Sequence, residues 1–311
     1  MILFWILLAL AALILIISYL CFRMAFYVTP VQKIRPDGYP IPDGEIYEPH
    51  RPQMTRWIDE IRAMPREDVS IKSFDGLTLR GKFYEYAPGA PIEIMFHGYQ
   101  GSTERDLCGG VQRCFACGRS ALVVGQRGSV DSDGNVITFG ILESRDCRAW
   151  VDFAIEHFGP DVKLILTGIS MGASTVMIAA GQELPKNVVG VLADCGFTSA
   201  EDIIKRTIRD MKLPANLSYP FVRLGALVFG HFDPNETSSM EAMERCRLPI
   251  IFFHGKDDDY VPCWMSRVNY EHCISSKKLV IIPGAGHGLS FPVDQEGYIR
   301  ELRAFADTYW K

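Results

Sequence analysis

Between residues 91 and 282 short apolar runs alternate with stretches of helical periodicity, and this alternation constrains the fold more than any other feature. The runs are 92–96 (IEIMF), 121–125 (ALVVG), 162–166 (VKLIL), 188–193 (VVGVLA), 249–253 (PIIFF) and 279–282 (LVII). Helical patterns occupy the gaps near 103–117, 142–158, 171–183, 199–211, 263–274 and 294–310. Strands that are apolar on both faces must be covered on both faces, which predicts a mostly parallel sheet between two layers of helices. Ahead of them residues 69–74 alternate, Asp75-Gly76 turns, and 79–83 alternate back, the pattern of a hairpin. A chain of 311 residues that is 48% hydrophobic can bury the core of such a domain.

The N-terminus reads differently. Met1 to Cys21 carries no charged side chain and is mostly Leu, Ile and Ala, with Trp5 and Tyr19 near its ends. As a helix it would be about 31 Å long, enough to cross a bilayer with those aromatics at the interfaces. A signal peptide would need a basic leader and a small-x-small cleavage site, whereas this run ends Leu20-Cys21-Phe22-Arg23-Met24. Residues 1–22 are therefore expected to be a retained single-pass transmembrane anchor. Arg23, Lys33 and Arg35 follow it, which by the positive-inside rule leaves the rest of the chain on the cytoplasmic face. The nine cysteines fit free thiols in a reducing compartment.

Residues 23–64 read as a proline-rich connector with a short helix over 53–64, whose Met54, Trp57, Ile58 and Ile61 share a face. Residues 65–311 make the globular domain. Within it 212–246 interrupts the alternation: Pro214, Pro220 and Pro234 surround an apolar patch at 221–229, the expected place of a small helical cap. A net charge of −5 with scattered Lys and Arg provides no face for nucleic acid. Cys114 and Cys117 form a C-x-x-C inside a predicted helix, with no second pair to complete a zinc site, so no metal is expected. Nothing in the pattern calls for an organic cofactor, and the oligomeric state is left open.

In open α/β sheets ligands bind beyond the carboxyl ends of the strands. There lie His97-Gly98-Tyr99-Gln100-Gly101-Ser102, Gly168-Ile169-Ser170-Met171-Gly172, Asp194, His254-Gly255-Lys256-Asp257-Asp258-Asp259, and Gly284-Ala285-Gly286-His287-Gly288. A serine at a strand-to-helix joint either caps the helix or is held out as a nucleophile. Gly168 and Gly172 remove the side chains that would clash on a strained turn, which favours the nucleophile. The N–H of Met171, at the helix N-terminus, and that of Tyr99 would bind an oxyanion. A neutral hydroxyl needs a base, His287, and an acid to hold the imidazole. The order along the chain is Ser, Asp, His.

These motifs resemble the α/β-hydrolase superfamily, in particular its prokaryotic serine-aminopeptidase-like and lysophospholipase-like branch. The resemblance covers residues 65–310 and rests on HGYQGS at 97–102, GISMG at 168–172, HGKDDDYVP at 254–262 and GAGHG at 284–288. It implies an α/β-hydrolase fold with a Ser170-His287-Asp258 triad, because the pattern H-G-x-x-D-x-x-V-P places the acid on Asp258. Asp194 is the runner-up acid; Asp257 and Asp259 would be solvated neighbours or helix caps. The superfamily's Asp-x-Arg-x-His-Gly-x-Ser loop survives here only as Arg127 and Ser132, with Gly125 and Ser129 in place of its Asp and His. The implied activity is hydrolysis of an acyl ester or thioester. A serine peptidase or amidase with the same triad, or a non-catalytic scaffold of this fold, are the alternatives. The expected partners are a small acyl or peptide substrate and the membrane.

Overall fold

The computed structural model describes residues 1–33, 38 and 40–310; Arg35, named above, lies outside the described residues. One sheet is built from β1 (Glu67–Lys72), β2 (Thr78–Tyr84), β3 (Ile92–Phe96), β4 (Ser120–Val124), β5 (Leu164–Ile169), β6 (Val188–Asp194), β7 (Ile250–Gly255) and β8 (Lys277–Ile282). Their order across it is β1-β2-β4-β3-β5-β6-β7-β8. β1 and β2 form the hairpin turning at Asp75-Gly76, and β2 also runs antiparallel to β4. Every other pairing is parallel. Each predicted apolar run is a strand. The largest boundary difference is β5, which starts two residues late and continues through Thr167-Gly168-Ile169 to the edge.

The helices are α1 (Ile2–Ala25), α2 (Arg51–Ala63), α3 (Thr103–Ala116), α4 (Ile141–Phe158), α5 (Met171–Ala180), α6 (Ala200–Asp210), α7 (Ala215–Gly225), α8 (Ser239–Met243), α9 (Trp264–His272), α10 (Ser290–Val293) and α11 (Gln295–Tyr309). Strand side chains point alternately to the two faces. Ile94, Phe96, Leu122, Leu166 and Phe252 meet Trp150, Val176 and Met177 of α4 and α5 on one face. Met95, Val123, Leu192, Ile251 and Phe253 meet Trp57, Ile58, Val111, Leu302 and Phe305 of α2, α3 and α11 on the other. Helix α2 thus belongs to the second layer rather than to a spacer. A carboxylate sits in the middle of this apolar sheet: Glu93 of β3 is fully buried between Arg113 (2.5 Å) and Arg119 (2.7 Å), and Thr167 donates to it at 2.9 Å.

Helix α1 is long and apolar enough to cross a membrane, and most of residues 2–16 is exposed. Its C-terminal part is not. Ser18 and Phe22 are buried, and Phe22 enters a third cluster with Phe26, Val28, Phe139, Ile203, Ile204, Ala226 and Phe232. Backbone bonds fasten the chain beyond it, Val28 N–H to Asn135 O and Ile137 N–H to Phe26 O, both 2.8 Å. Helix α7 crosses α1 so closely that a Cβ on Gly225 would stand 2.2 Å from the Ser18 carbonyl oxygen. The Phe229 ring lies 5.1 Å from Tyr19 and 6.1 Å from Phe22. The apolar patch at 221–229 therefore seats the end of α1, and the 212–246 segment forms helices α7 and α8, whose Ala215, Tyr219 and Val222 share the third cluster with Phe139 and Met171.

Candidate active site

Ser170 occupies the joint between β5 and α5 with φ 56° and ψ −119°, a conformation that a residue with a Cβ adopts only when its surroundings impose it. Two close approaches impose it here. A Cβ on Gly168 would stand 2.1 Å from the Gly172 carbonyl oxygen, and one on Gly172 would stand 2.0 Å from that of Phe96. The Ser170 N–H is tied to the Asp194 carbonyl at 2.8 Å. Its hydroxyl Oγ lies 3.0 Å from His287 Nε2, and His287 Nδ1 lies 2.7 Å from Asp258 Oδ2.

The acid end is enclosed. Asp258 Oδ1 accepts the N–H groups of Tyr260 (3.0 Å) and Val261 (2.8 Å), and Oδ2 lies 3.3 Å from His254 Nε2. That nitrogen also lies 2.8 Å from the Val261 carbonyl, which can only accept, so Nε2 carries the proton and Nδ1 accepts from Ser266 Oγ at 2.7 Å. Burial pushes the Asp258 carboxyl up, but His254 and His287 outweigh it and hold the group at about 2. The carboxylate is thus ionised at neutral pH and able to fix the His287 tautomer. Asp194 goes elsewhere: it accepts from Ser290 Oγ (2.8 Å) and Tyr298 OH (3.1 Å). Asp257 and Asp259 are exposed.

The loop after β3 lies against the serine, where a Cβ on Gly98 would come within 3.3 Å of the Ser170 Cβ. Asp106 accepts the Gly98 N–H at 2.8 Å, and His97 Nδ1–H donates to the Gly98 carbonyl at 2.8 Å. Among the described residues the N–H groups of Tyr99 and Met171 have no acceptor. Asp106 was not singled out from sequence, and His254 only as the first residue of the H-G-x-x-D-x-x-V-P pattern, with no role of its own. Asp106 reads there as an ordinary acid in the first turn of α3, and the pattern that His254 opens does not by itself say that its ring touches the carboxylate four residues on.

No family model matches the chain. It is 25% identical over 192 residues to the uncharacterized protein YqkD of Bacillus subtilis, a match spanning 61% of this chain and 63% of that protein, so just under two thirds of the relative's length. The esterase Pf2001 of Pyrococcus furiosus superposes with a TM-score of 0.67 over 89% of this chain and 99% of that one, at 19% identity. The α/β hydrolase GrgF from Penicillium superposes with a TM-score of 0.62 over 79% of this chain and 99% of that one, at 18% identity. This is the α/β-hydrolase fold.

In this α/β-hydrolase fold a cavity of about 450 Å³ opens onto Ser170 and His287. Met54, Trp57, Met95, Leu107 and Phe291 form apolar walls, with the Trp57 ring stacked on Phe291 at 5.4 Å. Pro42, Ile46 and Tyr47 close over it, and the Tyr47 hydroxyl donates to the His287 carbonyl at 3.1 Å. The stretch expected to be a connector therefore covers the site, while no residue of 212–246 lines it. Its prolines carry no periodicity, which left it reading as a spacer. The 125–134 loop, which lacks the superfamily's Asp and His, is braced by Arg127, bonded to Asp146 (2.7 Å) and Asp75 (2.9 Å). Cys195 Sγ lies within 4.8 Å of ligand atoms of Asp258 and His287, and burial raises its thiol well above the ordinary range. All nine cysteines are free thiols, Cys114 and Cys117 included.

Proposed function

We propose that the protein is a membrane-anchored serine hydrolase that cleaves acyl esters or thioesters through an acyl-enzyme. The observation that carries this reading is the unbroken hydrogen-bonded chain from Asp258 through His287 to Ser170 at the mouth of the cavity. His287 Nε2 takes the Ser170 proton as Oγ attacks the acyl carbonyl carbon. The Asp258 carboxylate stabilises the imidazolium, and the oxyanion receives the N–H groups of Tyr99 and Met171. Collapse breaks the ester bond, and His287 returns its proton to the departing alkoxide or thiolate. Water, deprotonated by His287, then attacks the acylated Ser170 and releases the acid. The apolar walls favour an acyl chain over a peptide, and Pf2001, of the same fold, is by name an esterase.

Helix α1 spans 24 residues with a mean hydropathy of 2.8 over its most apolar window, which suits an anchor and a signal sequence alike. What supports a retained anchor is the packing of its C-terminal end. Cleavage after it would strip Phe22 from the cluster around Phe139 and Phe232 and open that core to water. Arg23 lies over the Tyr27 ring at 3.8 Å and Lys33 bonds the Ser132 carbonyl at 2.9 Å, so these cations sit on the domain side, the cytoplasmic side by the positive-inside rule. The test is labelling of the full-length protein with a serine-directed fluorophosphonate, beside p-nitrophenyl esters of increasing acyl length. Labelling and hydrolysis should both vanish in Ser170→Ala. Folded wild-type protein that neither labels nor hydrolyses any ester would sink the proposal.

A further inference from the structure

We infer that α1 is part of the catalytic apparatus: the Tyr99 hydroxyl ties the oxyanion loop to the last turn of this helix, and so the anchor sets the position of the Tyr99 N–H. The inference rests on the hydrolase reading above. The Ala25 carbonyl is among the last four of α1, which have no partner within the helix and carry its partial negative charge. Where the helix leaves an apolar phase, an unsatisfied carbonyl is costly. Tyr99 OH donates to it at 3.0 Å and itself accepts from Gln100 Nε2 at 3.1 Å.

A second link is aromatic. The Tyr99 ring stacks on Phe139 at 5.0 Å, and Phe139 stands edge-on to Phe26 at 5.7 Å. On its other side the loop is held through Gly98, by Asp106 and His97. Beyond Tyr99 the chain turns through Gln100 at φ 48°, a left-handed conformation that needs support from its neighbours. The peptide that presents the Tyr99 N–H is thus held at Gly98, where the Gly101 N–H also bonds its carbonyl at 3.1 Å, and on the far side by Arg105, which donates to the Tyr99 carbonyl at 3.4 Å, together with the side-chain tie to α1. An oxyanion donor is worth on the order of 10²–10³ in kcat when removed, so a partial displacement is readable in rate. The hydroxyl touches no reacting atom; it acts as a positioning group.

The test uses the full-length protein in lipid nanodiscs. Tyr99→Phe keeps the ring stack and deletes the tie; kcat should fall about tenfold with KM within about twofold, and fluorophosphonate labelling should slow in proportion. Gly225→Ala forces α1 off α7 through the Ser18 contact and should lower kcat in the wild-type background, yet add nothing to Tyr99→Phe. Should Gly225→Ala fail to fold, the split between kcat and KM in Tyr99→Phe decides alone. Wild-type kcat in folded Tyr99→Phe, or losses that multiply in the double variant, overturn the inference while leaving the hydrolase reading intact. Wild-type protein that does not label overturns the hydrolase reading, and this inference with it.

Discussion

Replacing Phe26 by alanine should destabilise the whole domain, although Phe26 directly follows a helix whose composition suits a membrane. Phe26 is only 1% exposed. Its ring meets Phe232 at 5.1 Å and Phe139 at 5.7 Å, both edge-to-face, and Phe22 at 6.3 Å. Burying a phenylalanine contributes about 1.5–3 kcal/mol, and each edge-to-face pair adds about 0.5–1.5 kcal/mol. The sum brackets the roughly 3–5 kcal/mol lost when a core Phe becomes Ala. Against a typical stability of about 5–15 kcal/mol that is a large share. Denaturant unfolding of the detergent-solubilised protein, followed by tryptophan fluorescence, measures it. Leu10→Ala is the control, because Leu10 is 51% exposed and should shift stability by no more than about 0.5 kcal/mol. A Phe26→Ala loss below about 1 kcal/mol would mean that α1 hangs from the domain instead of completing its core, and would refute the reasoning.

The two aspartates separate the triad from its surroundings. Asp258→Asn should lower kcat by about 10⁴, because His287 loses its tautomer anchor. Asp194→Asn should keep kcat within about tenfold while losing about 1–3 kcal/mol of stability from the Ser290 and Tyr298 bonds; the reverse ranking in a kinetic and melting comparison would reassign the acid. Trp57→Ala removes a cavity wall and should move the ester optimum to longer acyl chains, a shift read from a chain-length series; an unmoved optimum would place the acyl chain elsewhere. Glu93 is buried, which raises its carboxyl, but Arg113 and Arg119 prevail and hold it at about 2, as Asp258 is held. Both lie below the unfolded value of roughly 4, so their stabilisation is complete above about pH 4 and is lost as pH falls towards 2. Unfolding midpoints across that range should fall less steeply in Glu93→Gln, which itself should be destabilised by about 3–5 kcal/mol because two guanidinium groups stay buried.

Much of the site was legible in sequence, for a local reason. Parallel strands all end at one edge of their sheet, so locating β5, β7 and β8 by their apolar runs already gathers Ser170, Asp258 and His287 there. The spacing of Gly168 and Gly172 around Ser170 reports a close backbone approach whatever the remaining fold. What sequence left open depends on contacts between distant segments. An apolar stretch at 221–229 announces that it will be buried but not against what; only the packing of α7 on Ser18 and Phe22 gives it α1 as partner and leaves it outside the lining of the cavity. The cover came instead from Pro42, Ile46 and Tyr47, which have no periodicity to read and are placed by contacts such as Tyr47 to His287, 240 residues apart in the chain. The same holds for α1 itself. Its composition suits an anchor and a signal sequence equally, because both need only an apolar helix. The burial of Ser18, Phe22 and Phe26, and the bond from Tyr99 to Ala25, come from tertiary packing, which makes the end of that helix part of the domain.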